Sequence, residues 1–246
     1  MSKINIELPE VQIRETRLGS ITGFEGSAKE LLDQAKSGCL KDKSRGFSQC
    51  IGCSSGNAFC QLSGIRDAAV INHAPVGCAG DFPAFDFINR VGLKDYGIDD
   101  YVQNFYSTNL TEKDTVFGGL AKLRKTIVAV FEKVHPNAIF VTTSCVSGII
   151  GDDVEALTNE MSEELGIPVT SCFCEGFRSK LWTTGFDAAF HSVLRGIVKP
   201  PRKKTNKVNI INFWGSHIFD DLLKELGYEA QYVVPYSKCE DLETYL

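Results

Sequence analysis

Short runs of β-forming residues alternate with longer amphipathic segments through most of this 246-residue sequence. The runs predict strands, and the segments, whose apolar residues recur at helical spacing, predict helices. The predicted strands are 68–71, 101–108, 138–143 and 168–173, with 208–213 and 230–234 near the end of the chain. The predicted helices are 58–63, 112–133, 151–165, 185–198 and 219–226. Because strands that alternate with helices form parallel sheets covered on both faces, we predict an α/β fold. Its sheet should be doubly wound and mostly parallel, in the manner of Rossmann-like domains.

The ends of the chain carry weaker patterns than its middle. Residues 1–20 predict a surface arm, 28–36 a short helix and 81–100 an irregular stretch. The predicted parts of the chain are a first α/β domain at 1–198, a linker at 199–207 and the start of a second Rossmann-like domain at 208–246. Because so short a strand–helix–strand unit buries little core, we predict that the second domain is incomplete. The chain is then either a fragment or is completed by a partner.

Composition and the first residues limit where the protein acts. Hydrophobic residues make up 43% of the chain, which favours a folded core over disorder. No apolar run approaches the roughly 20 residues that cross a bilayer, so we predict no membrane partner. The first residues mix charged and polar side chains and lack the apolar core of a signal peptide, which predicts a cytoplasmic protein. The net charge of −5 argues against a nucleic-acid partner.

Three of the nine cysteines lie in similar loop settings, and two of them, Cys78 and Cys145, stand where a sheet of this kind binds ligands. Cys53 lies in a loop rich in glycine and serine, Cys78 in a Pro- and Gly-rich turn after a predicted strand, and Cys145 after another predicted strand. In such sheets, ligands sit outside the carboxyl ends of the strands. We therefore predict that Cys53, Cys78 and Cys145 form one metal-binding site.

The chemistry of three separated thiolates favours an iron–sulfur cluster. Three ligands in one chain imply that a partner subunit supplies a fourth ligand or another set. Zinc is the alternative suggested by the close pair Cys50 and Cys53, although the second close pair of an ordinary zinc site is missing. The sequence leaves open whether Cys50 or Cys60 joins the site. Disulfides are not expected in a cytosolic chain, and we expect several cysteines to be small buried residues. These include Cys172, Cys174 and Cys239.

Other polar motifs are less specific. No Walker A motif is present, nor a Gly-x-Gly-x-x-Gly motif after a strand, so an ATP-driven step would belong to another protein. His73 precedes the Cys78 turn, and we expect it to support that turn by hydrogen bonding. Glu175 and Arg178 follow a predicted strand, where they form either a structural ion pair or a polar group beside an active-site cavity.

Four segments resemble motifs of the nitrogenase component 1 superfamily, and of its α subunits in particular. They occur in the family's order and cover roughly residues 45–235. The segments are His73-Ala74-Pro75-Val76-Gly77-Cys78, Glu112-Lys113-Asp114-Thr115-Val116-Phe117-Gly118-Gly119, Cys145-Val146-Ser147-Gly148-Ile149-Ile150-Gly151-Asp152-Asp153 and Cys174-Glu175-Gly176-Phe177-Arg178. The resemblance implies the component 1 fold and a nitrogenase-like oxidoreductase that is active only within a complex.

By this resemblance, Cys53, Cys78 and Cys145 match the cysteines by which each family subunit holds its half of the P-cluster. The cofactor would be that 8Fe–7S cluster or, as in the related protochlorophyllide reductase, a 4Fe–4S cluster. The implied partners are a β-type subunit, in a heterodimer or heterotetramer, and an ATP-dependent iron–sulfur reductase. Glu175 and Arg178 would lie near the site of a small-molecule substrate as catalytic candidates. The family's ligands for an additional metal cofactor would fall beyond residue 246.

Three positions depart from the family's molybdenum enzyme. Trp182 stands where a Gln is expected, Phe186 where a His is expected and Asp86 where an Arg is expected. A phenyl ring cannot donate a proton as an imidazole can, so this pocket is less suited to protonating dinitrogen. We therefore predict a nitrogenase-like reductase acting on a carbon–sulfur or tetrapyrrole bond. The alternatives are a true nitrogenase α subunit, a non-catalytic scaffold for metal-cofactor assembly and, outside this family, a zinc-stabilised binding module.

Overall fold

The structure is a computed structural model that describes residues 27–37, 53–80, 82–95, 97–99, 101–178, 182–200, 205–210, 219–232 and 237–242. The chain divides into two compact units, Met1–Ser48 and Gln49–Leu246. In the first unit the described residues form one helix, α1 (Ala28–Ser37), which confirms the helix predicted there. Ser27 caps it, because its Oγ accepts a hydrogen bond from the backbone N–H of Glu30 at 3.3 Å. The predicted arm and Cys50 lie outside the described residues.

The second unit contains a sheet of four parallel strands in the order β2-β1-β3-β4. The strands are β1 (Ala68–His73), β2 (Phe105–Ser107), β3 (Ala138–Thr143) and β4 (Val169–Cys172). The central strands β1 and β3 pair from Ala68 opposite Ala138 to His73 opposite Thr143. Every residue of both strands is buried, which explains why their sequences are mostly apolar and do not alternate.

Helices cover both faces of this sheet. The helices of this part are α2 (Ser54–Ser63), α3 (Phe82–Asp95), α4 (Glu112–Phe117), α5 (Leu120–Val134), α6 (Cys145–Ile150), α7 (Val154–Leu165) and α8 (Thr184–Gly196), with a 3₁₀ turn at Val76–Ala79. Val70 and Phe140 pack in one core cluster with residues of α2, α3 and α8. Ile71 and Val141 point to the opposite face and pack with residues of α5 and α7. This arrangement confirms the predicted α/β fold with a parallel sheet.

The irregular stretch predicted at 81–100 is wrong, because most of it forms α3. Phe85, Asn89 and Leu93 recur at helical spacing and are buried. Pro83 is tolerated in the first turn, where no intrahelical N–H bond is made. The buried polar Asn89 interrupts the apolar pattern, which is why periodicity alone did not identify this helix.

The single helix predicted at 112–133 is two helices, α4 and α5. Gly118, with φ of 89°, leaves the helical region and separates them. Helix α6 was not predicted. Its cap is Ser144, whose Oγ accepts a hydrogen bond from the N–H of Ser147 at 3.3 Å. Six residues are too few for apolar periodicity to identify a helix.

The C-terminal part forms a second, two-stranded parallel sheet. Its elements are β5 (Lys207–Ile210), α9 (Asp220–Glu225), β6 (Glu229–Tyr232) and α10 (Cys239–Leu242). This agrees with the strand–helix–strand unit predicted there, while the domain boundaries stay a prediction. The N–H of Cys239 donates to Oδ1 of Asp67 at 2.8 Å, so α10 lies against the first sheet. Within the described ranges, no helix is both long and apolar enough to cross a membrane.

Candidate metal-binding site

Two of the three predicted ligand cysteines lie in segments that follow neighbouring strands of the sheet. Cys78 lies in the 3₁₀ turn after β1, and Cys145 is the first residue of α6, directly after β3 and Ser144. Because β1 and β3 are parallel and adjacent, the two loops begin side by side at one edge of the sheet. The Oγ of Ser144 donates a hydrogen bond to the carbonyl of His73 at 2.9 Å, which ties one loop to the other.

The third cysteine, Cys53, is brought to this edge by the first turn of α2. Cys53 is the N-cap residue of this helix. The Oγ of Ser54 donates to the carbonyl of Cys174, and the Oγ of Ser55 donates to the carbonyl of Thr143, each at 2.9 Å. Both acceptors lie where a strand ends, so these buried serines hold the start of α2 over the ends of β3 and β4.

Gly176 lies directly against two of the thiols. A Cβ atom at this position would stand 3.0 Å from the Cβ of Cys53, 3.5 Å from its Sγ and 3.6 Å from the Sγ of Cys145. The thiols of Cys53 and Cys145 therefore border the same side of the loop that follows β4. Glycine keeps this loop close without displacing either sulfur.

The Cys78 thiol is near enough to interact electrostatically with the thiols of Cys53 and Cys145. Its pKa is raised first by burial and then by the neighbouring thiols of Cys53 and Cys145. The sequence prediction thus named three side chains that lie together, although they are far apart in the sequence. Their role as ligands stays a prediction.

The spacing of these thiols bears on the kind of metal group that they suit. Among the described residues, no three His, Cys, Asp or Glu side chains are arranged to hold one metal ion. A single zinc ion binds sulfur at about 2.3 Å, which requires its thiolates to lie close together. An iron–sulfur cluster gives each thiolate its own iron atom and so accepts a wider separation.

The remaining described cysteines are buried. Cys60 is in the hydrophobic core, and burial raises the pKa of its thiol to about 12. The pKa of the Cys174 thiol is raised well above its usual value, most strongly by a hydrogen bond with Cys172 and next by burial. Cys172, Cys174 and Cys239 are all buried, which confirms the prediction made for them. As placed, Cys60 does not join the site.

A buried polar network lies beside the thiols and was only partly foreseen. Nε2 of His73 lies 2.9 Å from Oδ2 of Asp152, and its Nδ1 lies 3.1 Å from Oγ1 of Thr108. The N–H of Gly119 donates to both carboxylate oxygens of Asp152, at 3.1 and 3.0 Å. We expected His73 to support its own turn, whereas its ring bonds to two other segments of the chain.

The chemistry of this network fixes the proton on His73. Asp152 can only accept hydrogen bonds as a carboxylate, so Nε2 of His73 carries a hydrogen and donates it. Burial lowers the pKa of His73, although the hydrogen bond and charge of Asp152 act in the opposite direction. The ring is therefore neutral near pH 7, and its Nδ1 accepts a hydrogen bond from the hydroxyl of Thr108.

The segments that form this site also match known proteins. The family described as nitrogenase component 1 type oxidoreductase matches residues 53–245. The chain belongs to this family. The nitrogenase iron-molybdenum cofactor biosynthesis protein NifE of Methanococcus maripaludis is 37% identical over 176 residues, which are 70% of this chain and 35% of that protein. The nitrogenase molybdenum-iron protein alpha chain of Clostridium pasteurianum is 33% identical over 178 residues, which are 68% of this chain and 32% of that protein.

A solved structure agrees with these sequence matches. Nitrogenase Cp1 at pH 6.5 aligns with a TM-score of 0.62 and 28% identity, over 80% of this chain and 39% of that chain. The predicted nitrogenase component 1 superfamily and fold are thereby confirmed. The chain spans about a third of the length of the curated relatives named above.

The two catalytic candidates of this family member, Glu175 and Arg178, form an ion pair. Nε of Arg178 lies 3.2 Å from Oε2 of Glu175. The Glu175 side chain is only 2% exposed, whereas that of Arg178 is 59% exposed. Oε2 of Glu175 is buried and makes no hydrogen bond, and its ionic partner is Arg178. Glu175 also packs on α6, where a Cβ at Gly148 would stand 2.8 Å from its Cγ.

The positions predicted to depart from the family's molybdenum enzyme are aromatic or ion-paired. The rings of Trp182 and Phe186 contact each other with centroids 5.6 Å apart. The side-chain amide of Asn57 donates to the carbonyl of Trp182 at 2.9 Å. Asp86 forms an ion pair with Arg90 one helical turn later, at 2.8 Å. Neither aromatic ring offers a titratable group, and Asp86 is engaged within its own helix.

Proposed function

We propose that this chain is part of a nitrogenase-like oxidoreductase subunit that binds an iron–sulfur cluster through Cys53, Cys78 and Cys145. The cluster would relay electrons to a substrate site near the segment from Cys174 to Phe186. The observation that carries the proposal is the convergence of three thiols from three separate elements at the carboxyl edge of the sheet. Membership of the family supports a redox role for this convergence.

The residues present fit such a cluster. Three thiolates are the soft ligands that iron–sulfur clusters use, and among the described residues they are not arranged around a single metal ion. Gly176 provides space beside two of the sulfurs that any other side chain would occupy. A cluster of the P-cluster type, or a 4Fe–4S cluster, would take its remaining ligands from a related β-type subunit.

When bound, such a cluster accepts and releases electrons at potentials set by its ligands and their surroundings. The chain's own residues provide those surroundings. Ser54 and Ser55 hold the start of α2, and Ser144 caps the helix that begins with Cys145. Glu175 places a buried negative charge next to that helix, where it would oppose further negative charge on the cluster. We propose that Glu175 and Arg178 act through the electrostatic effect of their charges rather than by transferring a proton to substrate.

Exposed apolar residues surround the thiols and support a protein partner. Val76, Ile149 and Phe177 are 63%, 73% and 51% exposed. Each lies within four residues of Cys78, Cys145 or Gly176. Apolar residues that cluster at one exposed edge are typical of protein interfaces. This edge would meet the β-type subunit, and an ATP-dependent iron–sulfur reductase would supply the electrons.

A second candidate function is a scaffold for metal-cofactor assembly. The observation that favours it is the 37% identity to a NifE protein, whose name states cofactor biosynthesis. The aromatic pair of Trp182 and Phe186 also supports it, because neither ring can protonate a substrate. Both candidate functions use the same cluster site. They differ in whether a substrate is reduced or a metal cofactor is assembled beside it.

The first experiment tests the cluster itself. The protein is purified without oxygen together with its partner subunit, and iron, acid-labile sulfide and zinc are measured. We expect iron and sulfide in near-equal amounts, and we expect Cys78→Ala to lose most of both. Cys60→Ala is the matched control, because Cys60 is a buried core residue, and it should keep its iron. Zinc without sulfide, or full iron retention in Cys78→Ala, would contradict the proposal.

A second experiment separates the two candidates. The purified complex is assayed for acetylene reduction with the matching reductase and, separately, for transfer of a metal cofactor to a cofactor-free nitrogenase component. Reduction of acetylene or of a carbon–sulfur or tetrapyrrole substrate favours the oxidoreductase. Cofactor transfer without substrate reduction identifies the scaffold.

A further inference from the structure

We propose that His73 is a positioning residue that fixes the separation of the Cys78 and Cys145 thiols. This inference rests on the proposed function, since it concerns two of the three proposed ligands. His73 touches neither thiol and does no chemistry. It acts because its backbone and its ring bind both ends of the helix that starts with Cys145.

The first contact is at the start of α6. The carbonyl of His73 accepts a hydrogen bond from the Oγ of Ser144 at 2.9 Å. Ser144 is the cap of α6 and directly precedes Cys145. Since His73 ends β1 and Cys78 follows five residues later, this bond joins the two cysteine loops where both leave the sheet.

The second contact is at the other end of α6. The ring of His73 donates from Nε2 to Asp152, which lies two residues beyond the last residue of α6. One side chain thus prevents α6 from pivoting about its capped end. A helix held at both ends keeps its first residue, Cys145, at a fixed place relative to β1.

We call the two bonds of His73, to Ser144 and to Asp152, the clamp. The clamp is rigid because it is buried and closely packed. His73 is fully buried and the Asp152 side chain is 5% exposed. The backbone N–H of Gly119 also donates to the Asp152 carboxylate. The packing is close, because a Cβ at Gly119 would stand 2.8 Å from Cε1 of His73. Removing the His73 donor would leave a buried carboxylate with fewer partners, which favours movement of Asp152 toward water.

A separate hydrogen bond, from Asn72, holds the Cys78 turn. The side-chain amide of Asn72 donates to the carbonyl of Cys78 at 3.4 Å and accepts a bond from Thr142 at 3.3 Å. The Cys78 turn is therefore tied to β3 independently of His73. A change at His73 should consequently move α6 and Cys145 more than the Cys78 turn.

Cys53 gives the proposal its internal control. Its position depends on α2 and on the serines at the start of that helix, not on His73. The Cys78 turn is likewise tied to β3 through Asn72 and not through the ring of His73. Loss of the clamp should therefore change the separation of Cys78 and Cys145 more than that of Cys53 and Cys78.

The test measures both separations in the metal-free full-length protein with a short bis-maleimide cross-linker. The products that join Cys78 to Cys145 and Cys53 to Cys78 are quantified by mass spectrometry. In His73→Leu we expect most of the first product to be lost and the second to keep its yield. His73→Gln, whose amide can still donate to Asp152, should restore the first product. His191→Leu, at an exposed histidine, is the control and should change neither.

Asp152→Asn provides a second variant in case His73→Leu does not fold, and it should lower the same product. An equal loss of both products would mean a general role in folding and would overturn the proposal, as would no change in either. In the cluster-loaded complex, iron release from His73→Leu to a chelator should be faster by about tenfold. Because the cross-linking needs no metal, its failure is distinct from an absence of iron in the unmutated protein.

Discussion

At the scale of single residues, the candidate site depends on where side chains are absent as much as on the cysteines. Gly176 borders the sulfurs of Cys53 and Cys145, and its position allows no further atom without a shift of its neighbours. Gly56, in α2, has open space where a Cβ would be placed. The two glycines therefore make a matched pair, one beside the thiols and one away from close contacts.

We expect Gly176→Ala to weaken iron binding. Its new methyl group would stand 3.0 Å from the Cβ of Cys53 and would push that side chain out of place. The loss of iron affinity should be about tenfold, the lower end of what changes around metal ligands cost. Gly56→Ala should keep its iron and should raise the free energy of unfolding by about 1 kcal/mol, because alanine favours the helix. Chelator competition and thermal unfolding measure the two effects, and equal iron affinity in both variants would contradict the expectation.

At the scale of elements, the sequence predicted the buried strands well and the short helices poorly. The strand at 138–143 was predicted at its observed bounds, because a short run of apolar and β-branched residues that ends before Ser144 is typical of a buried strand. Cys78 and Cys145 were found from their position after strands, and Cys53 from its loop rich in glycine and serine, together with the family motifs. The bonds of His73 were not, because Asp152 and Thr108 are remote in sequence and no local pattern joins them. Helix α6 was missed because its six residues are stabilised by Ser144 and not by apolar periodicity.

One pair of elements carries a prediction of its own, since α2 and α8 approach at Gly185. A Cβ there would overlap the carbonyl of Ser54 and would stand 2.8 Å from the N of Ala58. We expect Gly185→Ala to force the helices apart and to lower the free energy of unfolding by about 1–3 kcal/mol. Because α2 begins next to Cys53, the variant should also lose iron more easily than the unmutated protein. Denaturant unfolding tests this, with Gly56→Ala in the facing helix α2 as the control, and an unchanged midpoint in Gly185→Ala would refute it.

At the scale of the whole molecule, both edges of the sheet expose apolar residues, and the carboxyl edge also carries the thiols. The carboxyl edge carries the thiols and the exposed Val76, Ile149 and Phe177. The opposite, amino edge is where Val102 precedes β2, and it is also exposed. Exposure alone therefore does not distinguish the two edges, whereas the neighbouring thiols do. If the proposed cluster is shared with a partner subunit, that partner must cover the carboxyl edge.

The two exposed valines allow this to be tested with closely matched variants. Val76 is 63% exposed and Val102 is 64% exposed, so Glu at either position changes the surface equally. We expect Val76→Glu to weaken association with the β-type subunit by about 2 kcal/mol, or about 30-fold in Kd, because a charge would be buried in the interface. Ile149→Glu, on a different element of the same edge, should have a similar effect, and Val102→Glu should have none. Sedimentation or calorimetric titration gives the three Kd values. Equal binding by all three variants would mean that the partner covers another surface, and the remaining cluster ligands would then have to come from elsewhere in the assembly.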